Sequence, residues 1–155
     1  MPDDKVNSKP AGETGDRDGV SLGSSSKHVL LAEDHKVNQM LATTMLENLG
    51  HTVESVVNGE EAVKAVQSRD YDVVLMDVQM PIMTGVEATI AIRKLEGECS
   101  VVPVIAMTAN AMKGDREQYL AAGMDDYLSK PIIISDLAQI VLEWGSKRSG
   151  GRRRA

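Results

Sequence analysis

The chain has 155 residues, of which 42% are hydrophobic and 26% charged, a balance typical of a single soluble globular domain. Its net charge of −6 is uneven: residues 27–145 carry 18 acidic and nine basic side chains, whereas residues 146–155 carry five basic side chains and no acidic one. The acidic body argues against nucleic-acid binding, and no apolar run approaches the ~20 residues of a membrane helix. A single cysteine, Cys99, excludes an intrachain disulfide, and no secretory leader opens the chain, so we expect a cytoplasmic location.

Three segments differ in composition. Residues 1–26 are rich in Gly, Ser, Asp and Lys and predict a disordered leader or linker, because they cannot bury enough apolar surface to offset the entropy of ordering. Residues 27–145 alternate strand and helix signals and predict one folded domain. Residues 146–155 predict a basic disordered tail, for which a solvated segment is favoured over an anion-binding one.

The folded segment contains five strand signals, each followed by a helix signal. In chain order the predicted elements are the strand His28–Ala32, the helix Lys36–Leu49, the strand Thr52–Val56, a helix from its cap Asn58 to about Ser68, the strand Asp72–Met76, a helix after Gly85 to about Leu95, the strand Val102–Met107, the helix Ala111–Ala122, the strand Tyr127–Ser129 and the helix Ser135–Trp144. Three glycines are expected to end helices: Gly50, Gly123 and Gly145.

Five β–α pairs with short connections predict a parallel sheet covered by helices on both faces. With right-handed crossovers the expected fold is a doubly wound (βα)5 α/β domain of the flavodoxin-like class, with strand order 2-1-3-4-5. That order brings the carboxyl ends of the first, third, fourth and fifth strands close together, at the edge where such sheets carry their functional sites.

Chemically distinctive side chains follow these same strands. Glu33 and Asp34 come after the first strand, Asp77 after the third, Thr108 after the fourth and Lys130 after the fifth. Carboxylates gathered at one point repel each other, and Mg²⁺, which prefers oxygen ligands, relieves that repulsion. One carboxylate could then act as a nucleophile toward phosphorus, while the lysine and the hydroxyl stabilise the transferring group. The pattern therefore predicts a Mg²⁺-assisted phosphoryl acceptor.

Four motifs in this order resemble a known family. They are Glu33-Asp34, the run from Met76 to Pro81, the run from Met107 to Met112 and the run from Gly123 to Pro131. Together they are similar to the receiver (response-regulator) domain of two-component phosphorelays, of the type attached to hybrid histidine kinases. The resemblance covers residues 27–145.

The resemblance implies a role for each residue of the acidic site. Asp77 is expected to be the phosphoacceptor. Asp34, Asp77 and the backbone carbonyl of Gln79 are expected to bind Mg²⁺ directly, and Glu33 to bind it through water. Lys130 is expected to pair with Asp77 and then with the phosphoryl group.

The resemblance also implies a switch and a set of partners. Thr108 and Tyr127 are expected to form the switch pair, in which the Tyr127 ring swings inward and changes the surface formed by the fourth helix, fifth strand and fifth helix. Gln79 and Asn110 are expected to tune the lifetime of the acyl phosphate. The expected donor is a phosphohistidine on a histidine kinase or a histidine phosphotransfer protein. The domain is expected to catalyse its own phosphorylation and dephosphorylation, and to act through a downstream protein as a monomer or an activation-dependent dimer.

The sequence departs from the family pattern at His35, where Asn is usual, and at Thr84, where Asp is common; neither position is an expected metal ligand. Other readings stay open for single residues: Glu33 and Asp34 as helix-capping acids, Thr108 as a turn residue, and Tyr127 as a core aromatic. An aspartyl phosphatase is the rival function, but that class needs a second Asp where Gln79 stands. A receiver that only binds partners is disfavoured because every expected site residue is present.

Overall fold

The computed structural model describes residues 26–109 and 113–152, so the predicted leader up to residue 25, Asn110 and residues 153–155 lie outside the described residues. The five strands are β1 (His28–Ala32), β2 (Thr52–Val56), β3 (Val73–Asp77), β4 (Val104–Thr108) and β5 (Asp126–Ser129). The five α-helices are α1 (Lys36–Asn48), α2 (Gly59–Ser68), α3 (Gly85–Arg93), α4 (Lys113–Ala122) and α5 (Ile134–Arg152). A short 3-10 helix, Glu98–Val101, precedes β4.

The strands form one parallel sheet in the order β2-β1-β3-β4-β5, as the sequence predicts. In its register Val29 of β1 pairs with Val73 of β3, and Asp77 at the end of β3 pairs with Met107 of β4. The central strands β3 and β4 are buried along their whole length. Continuous apolar strands are what a sheet covered on both faces requires.

Two apolar cores lie on opposite faces of the sheet because successive side chains of a strand point to opposite sides. Val74 and Met76 of β3 join the core beneath α2, α3 and α4, whereas Val73 and Leu75 join the core beneath α1 and α5. No helix in the described part of the chain combines the length and the apolar character needed to cross a membrane. The two cores fix the strands firmly, so that the strand ends can hold polar groups in defined positions.

The third and the last helix differ most from the sequence prediction, and the first helix ends at Asn48 rather than Leu49. The third helix ends at Arg93 rather than near Leu95. The last helix begins at Ile134, so Ser135 lies inside it, and it continues through Gly145 to Arg152; the predicted stop at Gly145 was wrong. A Cβ added at Gly145 would lie 3.1 Å from the Lys27 side chain, so this glycine permits a close helix contact instead of ending the helix. The backbone of residues 146–152, which were predicted to belong to a disordered tail, is helical.

The apolar spacing of α1 predicts a helix correctly but overstates how much of it is buried. Ala42 and Leu46 are buried against the sheet. Three further apolar residues of the same helix are mainly exposed: Val37, Met40 and Leu41, with 69%, 60% and 55% of their surface accessible. This helix therefore presents an apolar outer surface, which a purely structural helix would not need.

Candidate functional site

The acidic residues meet at the carboxyl edge of the sheet because β1 and β3 are neighbours. Glu33 follows β1 directly and Asp77 is the last residue of β3, and both carboxylates are almost completely buried. One ligand atom from each of Glu33, Asp34, His35 and Asp77 can be chosen so that all four atoms lie within 4.8 Å of one another. The structure therefore brings together the three acids that the sequence predicts.

Lys130 reaches this cluster from the end of β5. Its Nζ donates to Glu33 Oε1 and to Asp77 Oδ2, each at 3.1 Å. The Lys130 amide donates to the Thr108 carbonyl, which fixes the lysine backbone against the end of β4. One ammonium group therefore bridges the acid that follows β1 and the acid that ends β3. The sequence analysis predicts the pair with Asp77 but not the pair with Glu33.

Backbone donors orient the other oxygens of the two buried acids. The amide of Gln79 donates to Asp77 Oδ1 at 3.1 Å, and the amide of His35 donates to Glu33 Oε2 at 3.1 Å. Gly85 lies against the other side of Asp77, because a Cβ at position 85 would collide with the Asp77 carbonyl oxygen. The Asp77 carboxylate is therefore held in one orientation by its own loop.

Asp34 is the residue of the cluster that best indicates a cation site. Its Oδ1 atom is buried and accepts no hydrogen bond from any described residue. The nearest basic group is the imidazole of His35, whose Nδ1 lies 3.3 Å from this oxygen, while 71% of the His35 side chain is exposed. A buried carboxylate oxygen without a donor is costly unless a cation coordinates it. The donor set, mainly carboxylate oxygens, suits a hard divalent ion such as Mg²⁺.

The pKa values of the cluster differ because burial and hydrogen bonding act against each other. Burial alone would raise the pKa of Glu33, but hydrogen bonds from Lys130 and the His35 amide outweigh it and leave that pKa below its usual value. Burial dominates at Asp77 and raises its pKa despite the Gln79 and Lys130 donors. Burial alone would lower the pKa of Lys130, but its bonds to Asp77 and Glu33 raise it. The charged form of Asp77 is thus disfavoured mainly by burial.

Thr108 is buried at the end of β4, and its hydroxyl contacts a residue for which the sequence predicts no role. Thr108 Oγ1 lies 3.1 Å from the hydroxyl of Tyr119 on α4. Tyr127, the predicted switch partner, is half-buried, and its hydroxyl lies 3.5 Å from Arg116 Nη1. The sequence signal for Tyr119 is weak, because one aromatic residue on a short helix is normally a core residue.

The two departures from the family pattern have different structural roles. Thr84 is the N-cap of α3: its hydroxyl accepts the Glu87 amide at 3.1 Å, and the Glu87 carboxylate accepts the Thr84 amide at 3.0 Å. This reciprocal capping box explains the threonine as a helix start. His35 stands at the N-cap of α1 without a side-chain capping bond and faces the acids instead. No motif in the sequence predicts that His35 faces the site.

Asp77 of the acidic cluster and Thr108 of the predicted switch pair line one open cleft of about 560 Å³. Asp77, Gln79, Thr108, Tyr119 and Lys130 all line it. The cleft offers a nucleophilic carboxylate, one ammonium and a buried hydroxyl, with room for a phosphoryl group between them. The lining mixes the apolar side chains of Val78 and Val86 with polar ones such as Glu87 and Gln118, and a cleft this open suits a small charged group better than a large organic substrate.

Comparison with known proteins identifies a family. The family model described as "Response regulator receiver domain" matches residues 29–142. The sensor protein GacS of Pseudomonas syringae pv. syringae is 48% identical over 128 residues, which cover 81% of this chain. The receiver domain of the sensor histidine kinase PA1611 from Pseudomonas aeruginosa PAO1, crystallised with a magnesium ion in its active site cleft, is 43% identical with a TM-score of 0.73 and covers 78% of this chain and 98% of that one.

A third similar structure comes from a protein complex. It is the co-crystal structure of the Saccharomyces cerevisiae histidine phosphotransfer signalling protein Ypd1 with the receiver domain of its downstream response regulator Ssk1. The match has 28% identity and a TM-score of 0.73, and it covers 80% of this chain and 92% of that one. By contrast, the chain spans only 14% of the length of GacS.

Proposed function

The chain belongs to the response regulator receiver family of two-component systems, and from that membership we propose that Asp77 accepts a phosphoryl group from a phosphohistidine. The observation that carries the proposal is the bridging of Asp77 and Glu33 by Lys130, beside the unpaired buried oxygen of Asp34. A set of charges that costs stability in the absence of a cation is expected where the site serves a reaction.

The transfer exchanges one bond to phosphorus for another. A carboxylate oxygen of Asp77 forms a P–O bond as the P–N bond to the donor histidine breaks, and the imidazole nitrogen keeps the electron pair and takes up a proton. The Gln79 amide and Lys130 orient the carboxylate before attack. Lys130 and the Thr108 hydroxyl then stabilise negative charge on the phosphoryl oxygens.

A divalent cation fits the same residues. We propose that Asp34, Asp77 and the Gln79 carbonyl hold Mg²⁺ and that Glu33 binds it through water. When bound, Mg²⁺ offsets the carboxylate repulsion and the charge of the phosphoryl oxygens. Gln79 and Asn110 remain proposed as residues that tune the lifetime of the acyl phosphate. The domain is further proposed to catalyse both its phosphorylation and its dephosphorylation.

The experiment uses acetyl phosphate as a small donor. With millimolar Mg²⁺, the wild-type chain is expected to gain one phosphoryl group, detected as a mass increase that is lost in alkali. Asp77→Asn is expected to gain none. Asp136→Asn is the matched control, because this exposed aspartate lies in the first turn of α5, away from the acids. Equal phosphorylation of Asp77→Asn and the wild type would reject the proposed acceptor.

The donor protein is proposed to dock beside the cleft on the outer surface of α1. Val37, Met40 and Leu41 are exposed there, and Ile133 is 56% exposed on the segment that follows Lys130. A small groove between these segments is lined by Leu41, Met45, Pro131 and Ile132 and by Lys130 itself. Apolar side chains around a charged cleft suit a protein donor whose phosphohistidine enters the centre of the interface.

Comparing two donors tests this docking surface. Met40→Ser is expected to slow phosphorylation by a histidine phosphotransfer protein by about tenfold, while phosphorylation by acetyl phosphate stays unchanged. Leu142→Ser is the matched control, because Leu142 is also exposed, at 42%, but lies on α5. If the two variants have the same transfer rate from the protein donor, the docking surface lies elsewhere.

A further inference from the structure

We propose that Tyr119 on α4 is a second tyrosine partner of Thr108, beside the expected Tyr127, and a positioning residue through which phosphorylation of Asp77 acts on α4. This inference rests on the proposed function of the acidic cleft. Its basis is one contact: the hydroxyls of Thr108 and Tyr119 lie 3.1 Å apart, and both residues are buried. No role for Tyr119 follows from the family motifs in the sequence.

The two tyrosines have different surroundings. Tyr119 is 7% exposed, is part of the core beneath α2, α3 and α4, and also lines the cleft. Tyr127 packs only partly against that core, and the Arg116 guanidinium lies over its ring at 5.8 Å from the ring centre. An inward swing of Tyr127 would bring a second ring toward a hydroxyl that already has Tyr119 beside it.

The chemistry of the two hydroxyls explains how Tyr119 senses the phosphoryl group. A hydroxyl donates one hydrogen bond and accepts up to two, so before phosphorylation either residue can be the donor in this pair. A phosphoryl group on Asp77 adds oxygens that only accept. Thr108 must then donate to a phosphoryl oxygen, which leaves Tyr119 as the donor to Thr108. Phosphorylation therefore fixes the direction of a bond between β4 and α4.

The same arrangement predicts an effect on the reaction. A Thr108 hydroxyl that accepts from Tyr119 is a better donor to the developing charge, because hydrogen bonds in a chain strengthen one another. Tyr119→Phe keeps the ring in the core and removes only this bond. We expect phosphorylation by acetyl phosphate to be slower by about fivefold, the size of one neutral hydrogen bond. Tyr127→Phe is the matched control and is expected to stay within about twofold of the wild type.

A double-mutant cycle separates positioning from a general effect on structure. In a Thr108→Val background the hydroxyl partner of Tyr119 is gone, so adding Tyr119→Phe is expected to change the rate no further. If Tyr119 only supported the structure, Tyr119→Phe would slow phosphorylation by the same factor in the wild-type and Thr108→Val backgrounds. Unequal melting temperatures of Tyr119→Phe and the wild type would not affect this comparison, because the cycle uses rates measured on folded protein.

Amide chemical shifts provide the second readout. With Mg²⁺ and beryllium fluoride as the phosphoryl mimic, amides of residues 77–79 and 115–122 are expected to shift in the wild type. In Tyr119→Phe the shifts at 77–79 are expected to remain, whereas those at 115–122 shrink; in Tyr127→Phe both persist. A full α4 response in Tyr119→Phe would overturn the role proposed for Tyr119. Failure of the wild type to respond at residues 77–79 would instead reject the proposed function.

Discussion

At the amino-terminal edge of the sheet one arginine meets a full set of acceptors, whereas at the carboxyl edge one lysine pairs with two of three clustered carboxylates. Arg93 donates to three backbone carbonyls at 2.7 to 2.9 Å and to Asp125 Oδ2 at 2.9 Å. The same carboxylate accepts the Val104 amide. At the other edge Lys130 has two carboxylate partners, and Asp34 keeps a buried oxygen without a described donor.

The difference separates charge that stabilises the fold from charge that serves a reaction. The Arg93 network joins α3, the start of β4 and the segment before β5, and every charge in it has an opposite partner. The acidic cluster carries three negative charges against one positive charge, which is favourable only when a cation is added. Loss of a charge should therefore destabilise the protein at the amino-terminal edge and stabilise it at the carboxyl edge. The gain in stability from Mg²⁺ should depend only on residues of the carboxyl edge.

The largest effect is expected at the closed network. Arg93→Leu should lower the free energy of unfolding by about 3 kcal/mol, because it leaves Asp125 and three carbonyls without their donor. Urea denaturation measures the change. The control is Arg69→Leu, whose exposed pair with Glu54 should contribute less than about 1 kcal/mol. Equal losses in the two variants would mean that the Arg93 network is no more than a surface ion pair.

Mg²⁺ should have the next largest effect, and only through the acidic edge. At a concentration 100 times its dissociation constant it should add about 2.7 kcal/mol to the stability of the wild type, since it binds the folded state. Arg93→Leu should retain this gain and Asp34→Asn should lose it, as measured by paired melts with and without Mg²⁺. A gain in Asp34→Asn as large as in the wild type would place the cation elsewhere.

Removing one acid should produce a smaller effect of opposite sign. Because burial raises the pKa of Asp77, the folded state disfavours its charge at neutral pH. Asp77→Asn should therefore stabilise the Mg²⁺-free protein by about 1 kcal/mol. Asp125→Asn, the matched change at the other edge, should destabilise it. Denaturation of both variants in a chelating buffer tests the signs, and a loss of stability in both would contradict the comparison.

The smallest effect concerns pH at the amino-terminal edge. The buried His51 accepts the Lys27 amide at Nδ1, at 3.0 Å. Burial, with the charge of Lys27, lowers the pKa of His51 below its usual value of 6.5 despite the opposing charge of Asp72. As the pH falls, the unfolded chain therefore binds this proton before the folded chain does. The contribution of His51 to stability is fully present above pH 6.5 and is lost as the pH drops through the folded pKa. NMR titration of the imidazole checks this; protonation at or above 6.5 would contradict it.

Local patterns predict the strands and the main site because both depend on short-range signals. The apolar runs ending in Asp77 and Thr108 become buried parallel strands, and the known geometry of such sheets then places Lys130 near the acids. The Asn58 cap is confirmed in the same way, since its side chain accepts the Glu61 amide three residues on. These predictions need only the strand order and the position of each residue in its element.

What the sequence does not predict depends on contacts between distant elements. Gly145 is an expected helix stop, but its packing against Lys27 places it inside α5. Tyr119 has ordinary helical spacing, and only the folded chain brings its hydroxyl to Thr108. His35 is missed for a different reason: its acidic neighbours Glu33 and Asp34 are adjacent in sequence, but only the folded chain shows that its imidazole faces them.

The central claim is that phosphorus becomes bonded to Asp77, and chemical trapping tests it most directly. Wild-type protein is incubated with Mg²⁺ and acetyl phosphate and then treated with borohydride, which reduces an aspartyl phosphate to homoserine. Peptide mass spectrometry should locate homoserine at position 77 in the sample with Mg²⁺ and not in one with chelator. Homoserine at another aspartate, or an unmodified Asp77 in fully phosphorylated protein, would contradict the account.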